Sequence, residues 1–108
     1  MLMPGIKYRS AMQTRKIQPA TIIEETCREF GVNPADITRR SRKRGYVCAR
    51  QISIWFMRKY SNLTLLECGT MFNQDHTTAI HSVKTVSDLM ETDEAYRLMV
   101  TSIQNRLT

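Results

Sequence analysis

Along the chain, apolar residues return mainly at helical spacing rather than in strict alternation. From Pro19 onward, Ile22, Ile23, Cys27 and Phe30 recur on one face, and the run stops at Gly31. A proline at the first helical position and a glycine just past the last are start and stop signals, so the pattern predicts a helix from Pro19 to Gly31. Asn33 and Pro34 offer a cap and a first-turn residue for at most a short second helix, leading into residues 39–44. The segment "CARQISIWFMRKY", Cys48 to Tyr60, contains neither glycine nor proline. Its residues Cys48, Ile52, Trp55, Phe56 and Tyr60 share one broad face, which predicts the central, most buried helix. Trp55 and Phe56 could form a base-stacking platform, but aromatics at this spacing in an apolar helix read as core.

Ser61 and Asn62 break that run. Thr64 and Glu67 then form a T-x-x-E capping box ahead of a short helix, about Leu65 to Phe72. Asn73 and Gln74 make a turn, and Asp75 is the N-cap expected for a helix running to about Met90. In that helix Ile80, Val83, Val86 and Leu89 or Met90 are the expected buried stripe, while Thr77, Thr78, His81 and Lys84 point elsewhere. A last helix from Asp93 to about Leu107 would bury Tyr96, Leu98, Met99 and Ile103. With no alternating strand pattern, internal repeat or low-complexity tract, the expected fold is all-α: a small helical domain with a helix-turn-helix over residues 18–108. Residues 1–17, "MLMPGIKYRSAMQTRKI", lack clean periodicity and read as a flexible N-terminal arm.

Length and composition narrow the chemistry. The 108 residues suit one compact domain, and none of the four glycines sits in a G-x-x-x-x-G-K-S/T loop, so neither nucleotide binding nor ATP chemistry is expected. No run approaches the roughly 18 apolar residues of a membrane span and no signal segment opens the chain; the cytoplasm is the expected compartment. Cys27, Cys48 and Cys68 lie about twenty residues apart without a C-x-x-C pair, which points to reduced thiols, at least two of them in the core. The net charge of +6 is unevenly placed. Between Ile37 and Leu66 stand Arg39, Arg40, Arg42, Lys43, Arg44, Arg50, Arg58 and Lys59 with no acid, whereas Asp88, Glu91, Asp93 and Glu94 gather toward the C-terminus. A charge run is often just a solvated face, but five bases in the six residues "RRSRKR" repel one another unless an anion lies against them, so one face should attract phosphate.

The segment "FNQDHTTAIH" gathers Asp75, His76, Thr77, Thr78 and His81. As metal ligands the histidines are poorly spaced: five residues apart on a helix they diverge by roughly 140°, whereas neighbours on a helical face are three or four apart. As a catalytic set, adjacent helical residues do not face each other and no glycine-rich oxyanion turn accompanies them. The plainest reading makes Asp75 a cap and the rest surface. The neighbourhood adds another, because a short capped helix, a tight turn and a longer capped helix make a helix-turn-helix whose second helix offers its first residues to base edges in the major groove. Threonine hydroxyls and methyls, a carboxylate and imidazoles suit that task.

With those residues in view, "ARQISIWFMRKYSNLTLLECGTMFNQDHTTAIHSV" resembles the C-terminal DNA-binding domain of the bacterial chromosomal replication initiator DnaA. That family's pattern is a basic loop, an A-R-Q helix, S-L-x-E-I-G-x-x-F and D-H-T-T-V-x-H. Ala49-Arg50-Gln51, Thr64-Leu65, Glu67, Gly69, Phe72, Asp75-His76-Thr77-Thr78 and His81 match it in order, over about residues 18 to 90. The resemblance implies base contacts in the major groove from Asp75, His76, Thr77, Thr78 and His81, and an arginine in the adjacent minor groove, the place Arg42 takes by counting back from Arg50-Gln51. It implies phosphate contacts from Arg50, Arg58 and the helix start at Leu65 and Leu66, with Arg39, Arg40, Lys43, Arg44 and Lys59 as further basic neighbours. Asn73-Gln74 is shorter than the family's usual Gly-Gly-Arg turn, Leu66 replaces a frequent proline and Cys68 a branched aliphatic. The family's ATPase module has no counterpart here.

The expected partner is therefore double-stranded DNA, with no cofactor, no metal and no enzymatic activity. The expected role is site-specific binding in replication initiation or its regulation. The alternatives are a stand-alone transcriptional regulator or mobile-element protein competing for such sites, modestly favoured over an excised domain by the initial methionine and arm, and a basic module for an acidic protein partner.

Overall fold

The computed structural model describes residues 16–38 and 42–108, all of whose regular structure is helical. Five α-helices follow in order: α1 Pro19–Phe30, α2 Arg44–Phe56, α3 Leu65–Thr70, α4 His76–Thr92 and α5 Glu94–Leu107, with a 3₁₀ turn at Pro34–Asp36 and a π turn at Met57–Ser61. The central α2 packs on α1 and α4; α4 packs also on α3 and α5, and α5 closes back onto α1. Ile22, Ile52, Ile54, Phe56, Val86 and Ile103, drawn from four helices, are fully buried, each contributing about 1.5–3 kcal/mol of apolar burial. No described helix is long and apolar enough to cross a membrane.

The local signals act as their chemistry requires. Gly31 ends α1 in the left-handed conformation at φ 64°, with its own N–H donating to Arg28 and that of Val32 to Cys27, so the last carbonyls of the helix are paired. Asn33 accepts from the Ala35 amide, but only a 3₁₀ turn follows. Cys27 and Cys68 are buried, as expected, and burial pushes the Cys27 thiol up to about 11. At the C-terminal end, Arg106 donates to Glu25 and Glu29, both at 3.1 Å, tying α5 to α1.

Three expectations need correcting. First, α2 begins at Arg44, four residues before the expected Cys48, and turns into the π segment after Phe56. Its N-cap is Lys43, whose side chain makes no capping hydrogen bond, so the residues that usually announce a helix start are absent. Second, the buried face of α4 is Ala79, Ser82 and Val86, while Ile80 is 39% exposed. The small Ala79 and Ser82 face the neighbouring helices, which turns Ile80 outward. Third, Leu98 on α5 is 63% exposed, and Val100 joins Tyr96 and Ile103 in the core instead. Trp55, read as core, is half-buried and packs against the core: its indole N–H donates to Ser87 Oγ at 3.3 Å and the Lys59 ammonium lies 5.0 Å from the ring centre. Residues 1–15 of the expected arm lie outside the described residues; Ile17 is hydrogen-bonded to Tyr60 and Ser61.

Candidate nucleic-acid interface

The α3–turn–α4 unit is built from two caps and one close approach. Thr64 Oγ1 accepts from the Glu67 amide at 3.1 Å and Glu67 Oε1 from the Thr64 amide at 2.8 Å, which completes the capping box. After Thr70 the chain folds back on itself: the amides of Phe72 and Gln74 both donate to the Gly69 carbonyl, at 2.9 and 2.8 Å. Asn73 takes the left-handed conformation at φ 57° that the turn requires, which asparagine tolerates better than most residues. Gly69 stands so close that a Cβ there would lie 2.8 Å from the Gln74 carbonyl oxygen and 3.0 Å from that of Asp75. The glycine therefore sets how α3 meets the start of α4, and the shortened turn is accommodated without the family's usual glycines.

Asp75 Oδ1 accepts from the Thr78 amide at 2.7 Å and so fixes the first turn of α4. Asp75, His76, Thr77, Thr78 and His81 are all exposed. The carboxylate that caps the helix has its free edge at the same tip as two hydroxyls and an imidazole, and His81 follows one turn later. Ile80, beside His81, adds an exposed apolar surface that the sequence pattern had assigned to the core. Only the substitution of small residues at 79 and 82 could have signalled it.

Both caps depress a carboxyl. The Thr78 amide holds Asp75 below its ordinary range, with His76 and His81 adding smaller attraction, and the Thr64 amide does the same for Glu67. A group whose pKa is lowered by folding stabilises the fold above its unfolded value and loses that contribution as pH falls through the folded one. Both helix starts should thus be intact near neutrality and loosen only below about pH 4. In NMR titrations the Thr78 and Thr64 amide shifts should move with midpoints below those of ordinary carboxyls; midpoints at ordinary values would contradict the caps.

The basic residues are distributed as follows. Arg42, Lys43 and Arg44 are exposed at the entry to α2, and Arg58 and Lys59 are exposed on the π turn; Arg39 and Arg40 lie outside the described residues. Arg58 Nη1 donates to the Leu63 carbonyl at 2.6 Å, bracing the loop that leads into α3. Leu66 is 58% exposed and Leu65 half-buried at the start of α3. Arg50, expected at a phosphate, is turned inward. It is 7% exposed, and its Nη1 donates to the Ile37 carbonyl at 3.3 Å. Burial lowers its pKa from the usual value, and it acts as a brace under the entry to the basic segment. Burial pushes the Tyr96 phenol up to about 12, with the charge of Arg44 opposing the rise.

Among the described residues no group of three His, Cys, Asp or Glu could hold a metal. A recess of about 220 Å³ beside α2 is lined by Gly31, Val32, Lys43, Gly45 and Tyr46.

The comparisons with known proteins converge on one family. The model of the bacterial dnaA protein helix-turn-helix matches residues 19–86. The chromosomal replication initiator protein DnaA 1 of Chlamydia trachomatis serovar D is 31% identical over 84 residues, 78% of this chain and 18% of that protein. DnaA of Caldanaerobacter subterraneus is 30% identical over 95 residues, 88% and 21%, and DnaA of Campylobacter concisus 33% over 88 residues, 81% and 20%. The chain spans about a fifth of the length of these relatives. With the matched region running from the start of α1 into α4 and holding both caps and Gly69, this chain belongs to the bacterial DnaA helix-turn-helix family.

Proposed function

We propose that this protein binds double-stranded DNA sequence-specifically, at sites like those of a replication initiator, and acts in replication initiation or its regulation. The observation that carries the reading is the exposure of Asp75, His76, Thr77, Thr78 and His81 at the capped, outward start of α4. In the major groove the threonine hydroxyls pair with donors or acceptors, the free edge of Asp75 accepts from cytosine, and the histidines donate to purine acceptors. Ile80 supplies an apolar surface for a thymine methyl. Arg42 enters the neighbouring minor groove, where a narrow A·T-rich segment concentrates negative potential.

Lys43, Arg44, Arg58, Lys59 and the α3 start at Leu65 and Leu66 hold phosphates, with Arg39 and Arg40 beside them. These contacts fix register and carry no sequence information. Arg50 holds the basic segment in place from below. ATP-dependent steps belong to parts of the relatives that this chain does not match. Selection of bound duplexes from a random library at about 150 mM salt, where nonspecific attraction is subdued, tests the proposal. Enrichment of a short asymmetric motif is the expected result, and no enrichment would refute it.

A further inference from the structure

Trp55 is the chain's single tryptophan and the last residue but one of α2, and the proposed contacts with DNA leave it without a role. Its ring meets Phe56 edge to face with 5.1 Å between centres, and Phe56 in turn stacks on Tyr60 at 6.0 Å. After Phe56 the chain winds as the π turn Met57–Ser61, whose wider i to i+5 winding returns Lys59 over the residues before it. The Lys59 ammonium lies 5.0 Å from the centre of the Trp55 ring and 5.5 Å from that of Tyr60. Lys59 is exposed, and among the described residues no carboxylate pairs with it. The indole is itself tied to α4, because its N–H donates to Ser87 Oγ at 3.3 Å. Two aromatic faces therefore hold one cation in place beside the helix whose first turn is proposed to read bases.

We infer that Trp55 and Tyr60 form an aromatic seat that holds the Lys59 ammonium ready for a DNA phosphate beside α4, which makes Trp55 a positioning residue for binding. The inference rests on the DNA-binding reading and extends it to a residue that itself contacts no phosphate. A ring face attracts a cation through its quadrupole and occupies one side of it, while the ammonium keeps donors for a phosphate oxygen on the other. A lysine on an exposed turn otherwise samples many rotamers, and ordering it at binding opposes association. The seat removes part of that opposition before DNA arrives. At an exposed site a cation–π contact shifts an equilibrium by about two- to fivefold, which sets the size of the effect on affinity. The Ser87 bond keeps ring and cation in step with α4, so the phosphate is held where it fixes the register of the reading helix.

The test uses the single tryptophan. Growth on fluorinated tryptophans replaces Trp55 alone by rings of nearly the same shape whose faces carry progressively less negative charge, so packing is kept while attraction for the ammonium falls. Affinity for the selected duplex is titrated against salt for the full chain with tryptophan, monofluorotryptophan or trifluorotryptophan at position 55, in the native background and with Lys59→Gln. In the native background affinity should fall stepwise, by about two- to fivefold across the series, with an unchanged salt slope, because Lys59 still neutralises its phosphate. Lys59→Gln should flatten that slope by about 0.9 and abolish the dependence on fluorine. Native affinity indifferent to fluorine, or an equal fall in both backgrounds, would overturn the inference and leave Trp55 a packing residue. A Lys59→Gln chain with unchanged affinity and slope would overturn it too, with recognition by α4 untouched. Failure of the selection to enrich any motif would instead remove the reading beneath it.

Discussion

Replacing Gly69 by alanine should cost the domain about 1–3 kcal/mol of stability and weaken binding to its selected duplex at least tenfold. The added Cβ would sit 2.8 Å from the Gln74 carbonyl oxygen and 3.0 Å from that of Asp75. Both are backbone atoms of the turn, so no flexible side chain can swing aside. Relief requires α3 and the start of α4 to separate, and that movement strains the Gln74 amide bond to the Gly69 carbonyl. The residues displaced are Asp75 and the turn it caps, which carry the proposed base contacts. Gly31→Ala makes the informative contrast. Gly31, unlike Gly69, has a left-handed backbone, but nothing lies within 4 Å of an added Cβ, so that change should cost about 1 kcal/mol and leave DNA affinity alone. Denaturant unfolding and duplex titration of both variants check the pair. Unchanged affinity in the Gly69 variant would mean that the α3–α4 approach does not set the reading geometry.

Arg50→Met should lower stability by about 1–3 kcal/mol, the cost of stripping a buried carbonyl of its donor. The guanidinium is 7% exposed and donates to Ile37, the residue just ahead of the basic segment, so its loss should also loosen the positioning of Arg42. A phosphate-binding arginine would behave in the opposite way. Its removal would leave unfolding unchanged and flatten the salt dependence by about 0.9. Unfolding measurements on the free protein separate the two, since no DNA is present to be contacted. A variant as stable as the parent would return Arg50 to the phosphate-contacting set.

Helix starts were legible from the sequence wherever a side chain does the capping. Thr64 with Glu67, Asp75 and Asp93 each mark a start observed within one residue, because the capping atom and the amide it satisfies are neighbours in sequence; Pro19 marks the start of α1 by its fixed φ instead, with no side-chain cap. The start of α2 was missed for the same reason inverted: the Lys43 side chain makes no capping hydrogen bond, and α2 instead packs on α1 and α4. The buried stripes of α4 and α5 were misplaced by a position or two. Ile80 and Leu98 are apolar, and a periodicity count cannot see that small residues at 79 and 82 bring α4 against its neighbours. At the interface, exposure of the Asp75–His81 set followed from its cap and polarity. The inward turn of Arg50 did not, since a basic residue in a basic run carries no sequence mark of the carbonyl it will meet in the fold.

Sequence discrimination is assigned to the start of α4 together with Arg42. Its most direct measurement is paired titration of Arg42→Ala, His76→Ala and Lys59→Ala on the selected duplex and on a scrambled duplex of equal length. The first two substitutions should each cost about 1–3 kcal/mol on the selected duplex and little on the scrambled one, while Lys59→Ala should weaken both alike. Equal losses on the two duplexes for all three variants would contradict sequence reading by this surface.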